Sequence, residues 1–490
     1  MSSKPLALIT AFGGINSAGR SSAHLSYKNL VFNSISEREQ LEVLQDLAVM
    51  QGKIEPLGRT WETSSGDSID LKEFLTENSE GIRGDCMVRK LDRDIYDKDG
   101  IILDQIKASA AGQLPSGFDP SSLYPARQHP KALQMTVFGM GDALGQLGMS
   151  WKKVMDTISP DQIAVFSGAA IGQLDVFGFG GLMQSRIKGS RASSKNLALG
   201  LVEMSADFIN AYILGSVGRS GHNVGACATF LYNLQMGKEA IESGSARVVI
   251  VGGAEAPITP EIVDGFFAMS ALSDDKRMIE LQAQNNEDIS KGPIQERACR
   301  PFGNNVGMVL GESAQFIILM EDNLALELGA NIYGSVPSVA SHSDGYKSSI
   351  SGPGVGNYIT VAKCVADAEK ILGTKQLRNQ TFVHAHGTGT PANRTTESHI
   401  LNEVAKTYGI NSWPVTGIKS FLGHSMAPAS GDQLVTALGT WNKGIIPGIR
   451  STDNIAEDVY DDNLNILLED KIEDKNHFSA AFLNAKGFGG

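Results

Sequence analysis

A chain of 490 residues that is 42% hydrophobic and 20% charged has globular composition and the length to bury one large core or two smaller ones. A formal net charge of −12 argues against nucleic acid as the main partner and requires any acidic partner to dock on a local basic patch. No apolar run approaches the ~20 residues that span a bilayer, and the opening MSSKPLALIT is too short in its apolar part for a secretory signal. The four cysteines, Cys86, Cys227, Cys299 and Cys364, form no CxxC pair. That pattern speaks against a disulfide framework or a structural zinc site and for a soluble, cytoplasmic protein in a reducing compartment.

In chain order, PLALITAFGGINSAG (5–19) reads as a buried strand running into a Gly-rich turn. Residues from about 40 to 130 change character, with the charge-dense VRKLDRDIYDKDG, the more apolar IILDQIKASAAG and Pro/Gly punctuation in QLPSGFDPSSLYPARQHP. They are expected to form an elaboration on one face rather than an independent domain. DQIAVFSGAAIG (161–172), ARVVIVGGAE (246–255) and NHFSAAFLNAKGFGG (476–490) repeat the opening pattern of a short apolar run ending in glycine. Runs this short and apolar suit strands buried on both faces, in sheets covered by helices. Between them, Leu231, Leu234 and Ile241 share one face of a helix, with Gly244 as its C-terminal stop.

Three stretches carry candidate chemistry. Gly225-Ala226-Cys227-Ala228 places a thiol at the start of that helix with no bulk around it. A free cysteine is among the most buried residue types, so a plain core role is the default. Its position argues the other way, because helix N-terminal N–H groups favour a thiolate and can hold an oxyanion. Cys86, Cys299 and Cys364 have no such setting and read as structural.

In FVHAHGTGTPANRTTES (382–398), His384 and His386 point to the same side of a strand end, as a metal pair or as two ordinary polar residues. The turn that follows permits close backbone approach and offers Thr388 and Thr390 to a polar ligand such as a pantetheine arm. In VTGIKSFLGHSMAPASGD (415–432), Lys419 either biases the protonation of His424 or is a solvated charge. FLNAKGFGG holds Phe488 between glycines, as a core plug or a gate.

Taken together, these stretches resemble the β-ketoacyl synthases, the decarboxylating condensing enzymes of the thiolase superfamily, along most of the chain. ITAFGGINSAG is similar to the family's T-G-x-G-x-V-S-x-x-G, SGAAIGQLD to G-x-G-I-G-G-L, and GACATF to the active-site T-A-C-x-S. VGGAEAPITPEIVDGFFAMSALS, HAHGTGT, GIKSFLGH and NAKGFGG follow in the family's order.

The resemblance implies an α/β fold, the thiolase-type α/β/α/β/α sandwich of two similar halves, 1–330 and 331–490, each with a mixed sheet. It implies Cys227 as acyl-accepting nucleophile, His386 and His424 as its catalytic partners, and Lys419 as the charge that tunes the pocket. Thr388 and Thr390 would contact pantetheine, Ile171 would line the acyl pocket, and Glu312 would be mainly structural. Phe488 would gate the cysteine and share an oxyanion hole with its N–H. Arg186, Lys188, Arg191 and Lys195 would form the basic patch for an acidic acyl carrier protein. The segment 196–216 aligns with the part that builds the family's dimer interface, so a homodimer is expected. No metal or organic cofactor is implied, and neither nucleic acid nor membrane is expected as a partner.

The activity implied is condensation of an acyl thioester with malonyl-acyl carrier protein in fatty acid or polyketide-like synthesis, from acyl carrier or acyl-CoA donors. Several positions depart from the family pattern. Arg394 stands where the family usually carries Asp, with Glu397 following as usual, and His384 replaces a common Glu or Asn. PFGNNVGMVLG lacks the Arg and Asp of P-F-D-x-x-R-D-G-F. The family's usual Thr-Asn and last strand do not follow at Gly490, which suggests a sequence cut short at its C-terminus or a tail that is not ordered. These changes suggest a divergent branch of the elongating-type synthases, with an initiating role on a short acyl-CoA starter as an alternative.

Rivals separate on single residues. A Cys-His-Asn initiating synthase is disfavoured by His424, and a degradative thiolase by the lack of a second cysteine after Cys364. Partner subunits of the chain-length-factor kind usually lose the nucleophile, which is retained here. A cysteine hydrolase would need water access, and the malonyl-decarboxylating pair would be superfluous in it.

Overall fold

The computed structural model describes residues 4–58, 60–92, 108–215, 218–345 and 354–488. The first sheet is built from β1 (Ala7–Asn16), β2 (Ile163–Gly168), β3 (Arg219–Gly221), β4 (Val248–Glu255), β5 (Ser313–Glu321) and the short β6 (Gly334–Ser335). Their order is β6-β1-β5-β4-β2-β3. β4 pairs in parallel with β2, Val248 opposite Ile163, and antiparallel with β5, Val248 opposite Met320. Every residue of β1, β2 and β4 is buried, which is why these strands read as continuous apolar runs rather than as an alternation.

The second sheet contains β7 (Thr381–His384), β8 (Trp413–Thr416), β9 (Leu464–Ile466) and β10 (Ala480–Leu483), in the order β9-β8-β7-β10. All three of its pairings are parallel, where a mixed sheet was expected. Long helical crossovers join β7 to β8 and β8 to β9, and a crossover of that kind returns the chain in the same direction.

The helices complete five layers. α1 (Glu37–Met50) belongs to the region before the second strand, and α2 (Lys131–Gly145) covers the outer face of the first sheet, where Met135 and Met140 pack with Val165, Ile250 and Ile318. Farther along come α3 (Phe179–Ile187), α4 (Ser194–Gly200) and α5 (Thr229–Glu242). In the second half lie α6 (Val355–Leu372), α7 (Pro391–Tyr408), α8 (Lys419–Leu422) and α9 (Ala429–Lys443). Phe230 and Leu234 of α5 and Leu434 and Leu438 of α9 fill the inner face of the first sheet. Ala437 of α9 also packs with Phe382 of the second sheet, whose far face is covered by Val361 and Val365 of α6 and Leu401 and Val404 of α7. The result is the α/β/α/β/α sandwich.

The middle layer is tight: a Cβ on Gly431 of α9 would lie 2.6 Å from the Cβ of Gln315 on β5. This layer positions the site. α5 starts immediately after Cys227 and α9 shortly after His424, so two helix N-termini of one layer meet between the sheets.

In the region from about 40 to 130, α1, a three-stranded sheet over residues 54–69 and two short helices up to Gly84 share one apolar cluster, in which Val43, Leu47 and Ile82 pack with Tyr27, Phe32 and Ile445. The charge-dense run and its apolar continuation fall mostly on residues 93–107, outside the described residues. Among the described residues no single helix is long and apolar enough to cross a membrane.

Candidate active site

Cys227 sits in a short 3-10 turn, Ala226–Ala228, that runs directly into α5. Ala226 holds φ +49°, a left-handed conformation unusual for a residue with a Cβ. A Cβ on Gly225 would strike the ring of Tyr232 at 2.3 Å, so the small residues around the cysteine are what let the turn close. The thiol is 7% exposed and lies among Ile262, Val263, Phe266, Leu272, Leu310 and Met426, with Ile171 and Leu174 packed against them. The helix N-terminus suggested a thiolate, but desolvation dominates. Burial pushes the Cys227 thiol up to about 11, and the positive charge of Lys419 offsets only part of that.

His424 is linked to this thiol through Met426, on the turn that precedes α9. The Met426 thioether lies 3.9 Å from Cys227 Sγ, and the Met426 N–H donates to His424 Nδ1 at 3.2 Å. A neutral His424 that accepts at Nδ1 carries its proton on Nε2. That nitrogen is buried and has no hydrogen-bond partner among the described residues. The His386 ring stands edge-on to His424, with centroids 5.4 Å apart.

Lys419, on the first residue of α8, donates through Nζ to the His386 carbonyl at 2.5 Å. Both imidazoles are held well below the usual histidine range, first by burial and then by the Lys419 charge, while burial in turn lowers Lys419. The arrangement is a buried thiol near two neutral imidazoles, with His424 Nε2 and His386 Nδ1 both unpartnered among the described residues.

The remaining predicted residues divide by position. Thr388 and Thr390 follow His386 and hydrogen-bond each other at 3.0 Å, and Thr390 also caps α7 by accepting from the Asn393 N–H. Phe488, 40% exposed, lies with its ring centroid 6.4 Å from that of Phe266, a member of the cluster around Cys227. Glu312 is buried against Lys131 Nζ at 2.6 Å and accepts from the Leu114 N–H, which ties β5 to α2.

Arg186, Lys188, Arg191 and Lys195 are exposed around α3 and α4, and the last three line a surface cleft with Gln128, Phe177 and Ser193. His384 is fully buried, its ring centroid 5.6 Å from that of Phe382, and neither ring nitrogen has a hydrogen-bond partner among the described residues. A separate apolar groove between β10 and residues 335–342, walled by Leu231, Leu434 and Phe482, contains none of Cys227, His386, Lys419 and His424.

Arg394 reaches the segment that lost the family's Arg and Asp. Its guanidinium donates to Asp458 at 2.8 and 2.9 Å, to the Gly303 carbonyl at 3.2 Å and to Asn305 Oδ1 at 3.3 Å. Two departures that looked separate in the sequence are thus one contact.

Two further carboxylates, neither part of a recognisable motif, are buried near the site. Asp432 accepts from Asn16, Ser313, Gln315 and Ser425, the last adjacent to His424. Glu255, at the end of β4, accepts from the N–H groups of Ala170, Ile171 and Ala427. The available signal was a carboxylate closing an otherwise apolar strand. Glu397, already noted for its spacing, accepts from the His386 and Gly387 N–H groups and so sets the histidine's backbone.

Comparison with known proteins places the chain in a family. Residues 65–325 match the family model of the beta-ketoacyl synthase N-terminal domain, and residues 333–453 that of the beta-ketoacyl synthase C-terminal domain. The chain is 43% identical over 541 aligned positions to beta-ketoacyl-[acyl-carrier-protein] synthase FabY of Pseudomonas aeruginosa, covering 99% of this chain and 84% of that protein. It is 29% identical to 3-oxoacyl-[acyl-carrier-protein] synthase 2 of Staphylococcus aureus, over 67% of this chain and 75% of that one.

The crystal structure of the noncanonical ketosynthase FabY from P. aeruginosa superposes with a TM-score of 0.94 at 42% identity, covering 100% of this chain and 84% of that one. A type II polyketide ketosynthase solved with its acyl-carrier protein, 18% identical with a TM-score of 0.68 and covering 99% and 97% of the two chains, shares the fold. The chain belongs to the β-ketoacyl synthase family.

Proposed function

We propose that this protein is a β-ketoacyl-acyl carrier protein synthase that works with Cys227, His386, His424 and Lys419. One observation carries the reading: the buried Nε2 of a neutral His424 is unpaired among the described residues, on the turn whose Met426 thioether touches the Cys227 sulfur. In the first step the Cys227 sulfur bonds to the carbonyl carbon of an acyl thioester. The carrier thiol leaves with the proton that Cys227 gives up, and the tetrahedral oxyanion is met by the N–H groups of Cys227 and Phe488.

A malonyl thioester then enters, with its pantetheine arm along Thr388 and Thr390. Its carboxylate departs as CO2, and the electron pair of the broken C–C bond becomes an enolate on the thioester oxygen. The imidazole N–H groups of His424 and His386 stabilise that oxygen in a dry pocket. The carbanion attacks the acyl–Cys227 carbonyl, a new C–C bond forms, the C–S bond breaks, and the released thiolate takes one proton from solvent. Each turnover yields a 3-ketoacyl thioester, CO2 and free Cys227.

The exposed basic residues Arg186, Lys188, Arg191 and Lys195 suit an acidic acyl carrier protein. The exposed Leu197, Leu201 and Tyr212, all within the segment 196–216, suit a second copy of the chain. We place the reaction in the cytoplasm, in fatty acid or polyketide-like synthesis.

The test is incubation with mass-tagged acyl donors, either acyl carrier thioesters or acyl-CoA, and malonyl-acyl carrier protein, with Cys227→Ala alongside. The wild type should form 3-ketoacyl thioester, and Cys227→Ala at least about a thousandfold less. Failure of the wild type to form product, or equal product from the variant, overturns the reading. Release of free acid would identify a hydrolase.

A further inference from the structure

The role assigned to Glu255 rests on the synthase reading above. This residue is 1% exposed and spans two loops with different tasks. Its Oε2 accepts from Ala170 at 2.6 Å and from Ala427 at 3.4 Å, while Oε1 accepts from Ile171 at 3.3 Å. Ala170 and Ile171 pack against the apolar cluster that contains Cys227, where an acyl chain bonded to that sulfur would lie. Ala427 follows Met426, whose thioether touches Cys227 and whose N–H fixes the His424 tautomer.

One carboxylate oxygen therefore serves the acyl loop and the histidine turn unequally, short to the first and long to the second. Burial raises the Glu255 carboxyl to about 7, and the three N–H donors pull against that rise. Strengthening one of its bonds at the expense of another is a small displacement of a group that already has both partners.

We infer that Glu255 is a positioning residue that couples the two half-reactions. An acyl chain seated on Cys227 displaces the loop of Ala170 and Ile171, Oε2 moves onto the Ala427 N–H, and the turn carrying Met426 and His424 settles into the arrangement that decarboxylates malonyl thioester. Loading of the acyl chain thereby licenses loss of CO2, which prevents malonyl units from being decarboxylated without a partner. The coupling is a free energy between two sites and is measurable as one.

The experiment uses full-length protein whose Cys227 has been converted to a mixed disulfide with octyl or methyl methanethiosulfonate. Mass spectrometry confirms the modified position. These groups mimic long and short acyl occupancy and cannot condense. CO2 release from malonyl-acyl carrier protein is then timed. The octyl protein should release CO2 about 5-fold or more faster than the methyl protein, and Glu255→Gln should abolish that difference.

A merely structural glutamate would change both rates together and leave their ratio intact, so an unchanged ratio in Glu255→Gln overturns the coupling, as does the lack of an octyl effect in the wild type. If Glu255→Gln does not fold, Ile171→Ala decides. Loss of the octyl advantage there supports the coupling, and its persistence overturns it. Absence of both CO2 release and 3-ketoacyl product in the unmodified wild type would remove the synthase reading itself, and the coupling with it.

Discussion

Cys227 shows two local forces in opposition, with burial the stronger. The start of α5 favours an anion, yet the surrounding apolar side chains keep the thiol protonated at neutral pH, since its pKa is raised to about 11. A protonated, enclosed thiol is a weak nucleophile until it loses its proton, because the thiolate is the reactive form. His424 is tuned in the complementary sense, since burial and Lys419 both oppose the imidazolium. Removing its Nε2–H should lower CO2 release from malonyl thioester by about 10²–10³-fold, as for loss of one oxyanion donor. Acylation of Cys227 should be affected far less. His424→Ala measured in both half-reactions checks this, and an equal fall in the two would place His424 in acyl transfer instead. Cys227, His386, Lys419 and His424 each lie on a Gly-rich turn beside an apolar run, a pattern that by itself left core and solvated-charge readings open, and their candidate roles came from the resemblance. Glu255 was not legible, because its partners are backbone N–H groups of two loops, 170–171 and 427, far apart in sequence.

At the level of elements, the strands legible in the sequence were those that end in glycine. β5, SAQFIILME over Ser313–Glu321, went unnoticed although it pairs with both β1 and β4, because it runs from Glu-Ser into Glu-Asp with no glycine at either end. Arg394 on α7 likewise had no reading from sequence, since its meaning depends on Asp458 and Asn305, which reach it only in the fold. Its charge pair with Asp458 is half in solvent and contributes little by itself, whereas its bonds to Gly303 and Asn305 hold the loop beside the site. Arg394→Ala should therefore lower the unfolding free energy by about 1–2 kcal/mol. In urea titration this would appear as a lower midpoint at unchanged slope. Arg394→Asp, which restores the family's residue, should be worse than alanine because it turns a carboxylate toward Asp458. A variant with Asp as stable as the wild type would show that the clamp contributes nothing.

Across the whole molecule, the five layers were legible from the resemblance and from the doubly buried strands. What the layers do to titratable groups was not, because burial is a property of the assembled sandwich. His24 is lowered to about 4 and His384 to about 3, both mainly by burial, and His386 and His424 lie well below their usual range. In the unfolded chain each returns to about 6.5. Below that pH the unfolded state binds protons that the folded state refuses, so the stability these histidines confer is fully present above pH 6.5 and is lost as the pH falls. Glu255 works in the opposite direction. Its folded value of about 7 exceeds the ordinary 4.5, so its contribution is fully present below 4.5 and is lost as the pH rises to 7. Other buried carboxyls that are raised, Asp142, Asp175 and Asp432 among them, share that sign. The individual contributions are best separated by difference. His384→Asn removes one refused proton from a fully buried position that the proposed chemistry does not use. Between pH 6 and 5 its unfolding free energy should fall less steeply than that of the wild type, by about 1.4 kcal/mol per pH unit. Urea titrations at half-unit steps of pH measure both slopes, and parallel curves would mean that the buried His384 ring accepts a proton without unfolding the protein.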